Sequence, residues 1–141
     1  MSARVFWDTN LFIYLLEGRS PTVDHVSDLL ERMRARGDEL YTSAMTLGEV
    51  LALPLSAGHD SLAKAYEQRI CADAVIVPFD RSAARYYAEI RRDRTIKAPD
   101  AIQLACAGVA ETELFITNDR RLTGKVVRGV RFIVGIDNLP L

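Results

Sequence analysis

The sequence predicts an α/β protein, a parallel β-sheet covered by helices on both faces, and three observations predict it. Five short runs rich in β-branched and aromatic residues alternate with longer stretches that read as helices. The first run, Val5-Phe6-Trp7, is apolar on both faces, as suits a central and fully covered strand. Polar residues, acids above all, gather where strand-like runs give way to helix-like ones, the edge at which open α/β sheets bind their ligands. At 141 residues the chain suits one domain, residues 1–141, with a sizeable core.

Taken in order, Asp8, Thr9 and Asn10 end the first strand, and any of them can cap the very apolar helix of residues 11–17 that Gly18 closes. Pro21 opens a second helix with Val23, Val26, Leu29, Leu30 and Met33 on one face and Asp28, Glu31, Arg32, Arg34 and Arg36 on the other. Gly37 stops it. Residues 40–43 make the second strand. Thr46-x-x-Glu49 has the form of a capping box opening the next helix, which Pro54 and Gly58 bend or end. A helix over 61–72 and a strand over 75–77 follow, and Asp80 caps a helix whose inner face is Ala83, Ala84, Tyr87 and Ile90. Beyond a loop at 95–98, Pro99 suits a first helical position because no backbone donor is needed there. The helix of residues 99–110 is apolar nearly all round and is expected to be buried. Residues 114–117 and 130–134 are the fourth and fifth strands.

Charge and composition exclude several classes. With 18 basic and 19 acidic residues the chain carries no global basic field of the kind that marks dedicated duplex-DNA binders. Cys71 and Cys106 form no metal-ligand spacing and are expected to be buried, reduced thiols. His25 and His59 lie away from the polar junctions, which argues against zinc. No apolar run reaches the ~18 residues of a membrane span and no signal peptide is evident, so a soluble, cytoplasmic protein is expected.

Four acids carry the chemistry. Asp8 ends the first strand, Glu49 follows the second, Asp100 lies one residue into the proline-opened helix, and Asp119 follows the fourth strand. Each has a bland role available as cap, dipole partner or turn residue. Together they are harder to explain that way, because a serine or asparagine caps as well. Two full charges 4 Å apart also repel by ~4 kcal/mol at an effective dielectric near 20. A hard divalent cation offsets that repulsion through oxygen ligands.

The motifs Asp8-Thr9-Asn10, Thr46-x-x-Glu49, Lys97-Ala98-Pro99-Asp100-Ala101 and Thr117-Asn118-Asp119 resemble, in order and spacing, those of PIN-domain ribonucleases, and over the whole chain the closest likeness is to VapC-type toxins of toxin–antitoxin pairs. The resemblance implies a three-layer α/β/α sandwich with a five-stranded, mostly parallel sheet. It implies Mg²⁺- or Mn²⁺-dependent cleavage of RNA by Asp8, Glu49, Asp100 and Asp119, with Thr9, Asn10, Thr117 and Asn118 in support. A cognate antitoxin and a homodimer are the implied partners, and the aliphatic stretches 11–16 and 47–55 are expected to offer partner surface. One departure stands out: Arg120 and Arg121 follow Asp119 where relatives often have another acid, which weakens the case for a second metal ion.

Arg91, Arg92, Arg94 and Lys97 before Asp100, and Arg120, Arg121, Lys125 and Arg128 after Asp119, are candidate phosphate contacts. Tyr86 and Tyr87 are candidates for base stacking, although neighbouring helical positions point apart and one is expected in the core. Two rival readings share part of this pattern. A phospho-aspartyl phosphatase or receiver domain also places acids at strand ends, yet the phosphatase usually needs an aspartate where Asn10 stands. The other is a catalytically inactive, RNA-binding relative.

Overall fold

A computed structural model of the chain describes residues 2–18 and 22–139, without the side chains of 22 and 23. The expected helix opener Pro21 and the side chain of Val23 therefore lie outside the described residues. In chain order the elements are β1 (Arg4–Trp7), α1 (Thr9–Glu17), α2 (Thr22–Arg36), β2 (Glu39–Ser43), α3 (Ala44–Ser56), α4 (Asp60–Asp73), β3 (Val75–Val77), α5 (Arg81–Ile90), α6 (Ala98–Val109), β4 (Thr112–Thr117) and β5 (Val130–Gly135). A single 3₁₀ turn, Ile136–Asn138, follows.

The five strands form one sheet in the order β3-β2-β1-β4-β5, every neighbouring pair parallel. β1 lies at its centre, with Val5 opposite Leu40 of β2 and Leu114 of β4. The chain builds outward from β1 on one side through β2 and β3, then returns to add β4 and β5 on the other. The reversal leaves a crevice beyond the carboxyl ends of β1 and β4, where sheets of this type take ligands.

Alternation along the strands divides the core in two. Val5, Trp7, Leu114 and Ile116 face α1 and α2, where Leu11, Phe12, Leu29 and Met33 are fully buried. Phe6 and Phe115 face the opposite way onto Ala101, Leu104 and Ala105 of α6, and their rings stack with centroids 5.2 Å apart. Each such fully buried side chain contributes ~1.5–3 kcal/mol. The sandwich is three-layered, as expected.

Small residues on α6 bring backbone against backbone. A Cβ on Gly108 would stand 2.5 Å from the Arg128 carbonyl, and one on Gly129, whose φ is +83°, would collide with the Gly108 carbonyl. Glycine is required at both positions.

The structure refines several expectations. Ser43, not Thr46, caps α3: its hydroxyl accepts from the Thr46 N–H at 3.2 Å, because β2 runs into α3 without a loop and the last strand residue becomes the cap. Glu49 therefore stands in the second turn and is no capping-box partner. Pro54 is buried inside α3, and the helix continues to Ser56. Cys71 is exposed on α4, while Cys106 is buried and its thiol is pushed up to about 11 by that burial. Tyr86 and Tyr87 are both half-buried, with Arg128 over the Tyr86 ring at 4.0 Å and Phe79 against Tyr87 in a T-shaped contact at 5.7 Å. Among the described residues no helix is long and apolar enough to cross a membrane.

Candidate active site

The crevice holds all four predicted acids. Asp8, Glu49, Asp100 and Asp119 line one cleft of about 320 Å³ together with Thr9, Asn10, Ile13, Pro99 and Gln103. A larger groove of about 520 Å³ lies at the opposite edge of β4 and β5, around Tyr86, Glu111 and Arg128, but it gathers no comparable set of acids.

Asp8 is the innermost acid, 8% exposed. Its backbone N–H donates to the Ile116 carbonyl at 3.0 Å, so β1–β4 pairing carries it to the end of the sheet. One carboxylate oxygen accepts from the Thr9 N–H at 2.9 Å, capping α1, and the other from the Thr117 hydroxyl at 2.8 Å. Helix cap and site residue are thus one and the same. Burial, reinforced by the charges of Asp100 and Glu49, outweighs both hydrogen bonds and raises the Asp8 pKa to about 6. Asp100, in the first turn of α6, is also raised, first by desolvation and then by Asp119.

Asp119 behaves oppositely. Its carboxylate is gripped by Arg121, with Nε on one oxygen at 3.0 Å and an η nitrogen on the other at 2.8 Å, and this pairing lowers its pKa. Of the predicted phosphate contacts, Arg121 is therefore spent on an acid of the cleft. Lys97 lies near enough to act on both Asp100 and Asp119, and Arg120 lines an adjoining cavity of about 340 Å³ with Thr117, Asn118 and Thr123. Arg91 donates to the Ile96 carbonyl, Lys125 to Asp93 and Thr95, and Arg128 to Glu89. These three brace the α5–α6 side, and Arg92 and Arg94 are exposed beside them.

The supporting residues divide similarly. Thr117 donates to Asp8 and accepts from the Asp119 N–H at 3.0 Å, tying the two acids together. Thr9 is buried and its hydroxyl donates to Glu49 at 2.7 Å. Asn10 is exposed on the cleft wall, whereas Asn118 points away, its amide donating to the Tyr14 hydroxyl at 2.8 Å. Sequence reasoning missed Gln103 and Ser43, which with Thr46, read there only as a helix cap, form a buried polar cluster behind Glu49. The visible signal was a single amide in an otherwise apolar helix.

The donor set of the cleft is all oxygen, with no histidine or cysteine in its lining, which fits a hard divalent cation. Among the described residues no three His, Cys, Asp or Glu side chains close into a metal cage. The acids spread along the cleft walls, an arrangement suited to Mg²⁺, which usually keeps several waters beside one or two carboxylates.

Comparisons with known proteins agree with the geometry. The PIN domain family model matches residues 5–125. Among solved structures, VapBC2 from Rickettsia felis, bound to a DNA fragment from its promoter, superposes with a TM-score of 0.75 at 16% identity, covering 94% of this chain and 98% of that one. DNA-bound VapBC from Salmonella typhimurium gives a TM-score of 0.70 at 19% identity, with 95% and 98% covered. VapBC-5 from Mycobacterium tuberculosis gives 0.60 at 23%, with 94% and 98% covered. No curated protein matches the sequence.

Proposed function

The chain belongs to the PIN-domain family, and on that premise we propose that it is a Mg²⁺- or Mn²⁺-dependent endoribonuclease, the toxin of a toxin–antitoxin pair acting in the cytoplasm. One observation carries the reading: four acids from distant parts of the chain line one cleft at the switch point of the sheet, and the innermost is held at a pKa of about 6 by burial and its neighbours. A polypeptide seldom keeps such repulsion without a use for it.

Asp8, Asp100, Asp119 and Glu49 are the residues that would hold the cation. When bound, it supplies a water of lowered pKa and a counter-charge for the phosphodiester under attack. The chain does the rest. Thr117 fixes the Asp8 carboxylate from one side and the Thr9 N–H from the other. The Thr9 hydroxyl aims Glu49. Lys97 and Arg120 place positive charge at the rim, where RNA phosphates would lie. No histidine base or covalent nucleophile is needed. A receiver or phosphatase role suits Asp8 poorly, because both its oxygens already accept hydrogen bonds and it is nearly buried.

The partner reading rests on exposed apolar surface. Leu53 and Leu55 on α3 and Leu62 on α4 are exposed, which supports docking of an antitoxin or a second copy. Leu11 and Phe12, by contrast, belong to the core.

Incubation of the purified protein with total RNA tests the function. Cleavage is expected in Mg²⁺ or Mn²⁺ and none in EDTA, leaving 5′-phosphate and 3′-hydroxyl ends. Cleavage that survives EDTA would refute the metal mechanism, and labelling of Asp8 by acetyl phosphate would favour the receiver. A folded protein that binds RNA in Mn²⁺ without cutting it would point to the inactive relative.

A further inference from the structure

Behind Glu49 lies a buried network of hydrogen bonds that joins Gln103 to the hydroxyls of Ser43, Thr46 and Thr9. Gln103 is 2% exposed, and the amide at its tip is surrounded by the hydroxyls of Ser43, Thr46 and Thr9, all buried. The Ser43 hydroxyl donates to the Gln103 carbonyl oxygen at 2.5 Å and meanwhile accepts from the Thr46 N–H, so its single proton is committed. The Gln103 amide nitrogen has two protons and two acceptors at 2.8 Å, the hydroxyls of Thr9 and Thr46.

Those assignments propagate. The Thr42 hydroxyl borders the cluster as a donor, with the Trp7 carbonyl at 3.0 Å and the Thr46 hydroxyl at 2.9 Å as its acceptors. Thr9, which accepts from Gln103, is left to donate to Glu49 at 2.7 Å. The direct approach of the Gln103 nitrogen to Glu49 is 3.5 Å, too long to do the same work. The carboxylate is therefore reached through Thr9. Had position 103 carried a group that only accepts, the Thr9 proton would turn inward, away from Glu49.

We propose that Gln103 is a positioning residue for the acidic cleft: by donating to Thr9 it orients the Thr9 hydroxyl towards Glu49 and holds that carboxylate in the conformation in which it joins the other acids. Gln103 acts through the Thr9 hydroxyl, its own amide nitrogen standing 3.5 Å from Glu49. The inference deepens the metal-nuclease reading and rests on it only for its effect on metal binding. The hydrogen-bond route itself belongs to the metal-free protein.

The experiment compares Gln103→Met, which keeps volume and removes the amide, with Thr9→Val and the double variant. Folding is checked by circular dichroism, and Mn²⁺ affinity is read by titration calorimetry. Each single variant is expected to weaken Mn²⁺ binding about five- to twentyfold, and the double variant no further than the worse single, since both cut one route. Under saturating Mn²⁺, kcat is expected to fall more than KM rises. If Gln103→Met fails to fold, Gln103→Glu, which keeps an acceptor for Ser43 but turns the Thr9 proton inward, takes its place with the same expectation.

Unchanged affinity in a folded Gln103 variant, or losses that add in the double variant, would overturn the proposal. A crystal structure of the metal-free Gln103 variant decides independently of any activity. Glu49 is expected to leave Thr9 and occupy more than one rotamer, and a Glu49 still held at its original position would overturn the inference. Should the wild type neither bind Mn²⁺ nor cut RNA, the nuclease reading fails while this structural arm still answers for Gln103.

Discussion

Asp8→Asn is expected to lower RNA cleavage by on the order of 10³-fold while making the metal-free protein more stable at pH 7. The loss of activity follows from removing the innermost charge of the cleft. Substitution of groups that merely support a metal ligand already costs ~10–100-fold, and a ligand itself costs more. The gain in stability follows from the same burial. A carboxyl raised from 3.8 to about 6 is, once ionised, worse placed in the folded chain than in the unfolded one. At ~1.4 kcal/mol per pK unit the penalty is roughly 2–3 kcal/mol. Asparagine keeps an oxygen for the Thr9 N–H and an amide to offer the Thr117 hydroxyl, and it carries no charge. Urea denaturation in EDTA at pH 7 measures the gain, and RNA cleavage in Mn²⁺ measures the loss. A variant as active as the wild type would remove Asp8 from the site.

The second large effect is the pH dependence of the metal-free protein. Because the native state holds the Asp8 proton more tightly than the unfolded state does, the stabilising contribution is complete below about pH 4. It is lost as pH rises through about 6. Asp100, also raised, pushes in the same direction. Asp119, lowered by Arg121, works the other way, and its stabilisation is lost as pH falls below the ordinary carboxylate range. With Asp8 the most strongly shifted of the three, stability in EDTA is expected to decline by roughly 2–3 kcal/mol between pH 4 and 7. Saturating Mn²⁺ should restore a similar amount at pH 7, ~2.7 kcal/mol at one hundred times its Kd. Thermal melts across pH 4–8, with EDTA or Mn²⁺, test both expectations. Parallel curves for the wild type and Asp8→Asn would contradict them.

The fold was largely legible because its signals are local. Val5-Phe6-Trp7 announces a strand covered on both faces, and Asp8 breaks it with a carboxylate at the sheet edge. The four acids were legible because charge at a strand-to-helix junction needs a reason. What escaped was whatever depends on contacts far apart in sequence. Thr46 and Glu49 have the spacing of a capping box, but the box presumes a loop before the helix, and β2 runs straight on so that Ser43 caps instead. Arg121 reads as a rim cation, yet two residues is just the distance that folds it back onto Asp119. Gln103 hid in the apolar pattern of α6, and its three hydroxyl partners come from positions 57 to 94 residues away. A lone amide in a buried helix needs partners, and that need is the one clue the sequence offered.

The proposed function stands on a divalent cation held in the cleft of Asp8, Glu49, Asp100 and Asp119. Anomalous scattering from crystals grown in Mn²⁺ locates the ion. A Mn²⁺ peak is expected in that cleft, bonded to Asp8 and at least one other of the four carboxylates, and absent from Asp8→Asn crystals. Crystals of the wild type with Mn²⁺ bound elsewhere, or with the cleft empty at a concentration that supports RNA cleavage, would contradict it.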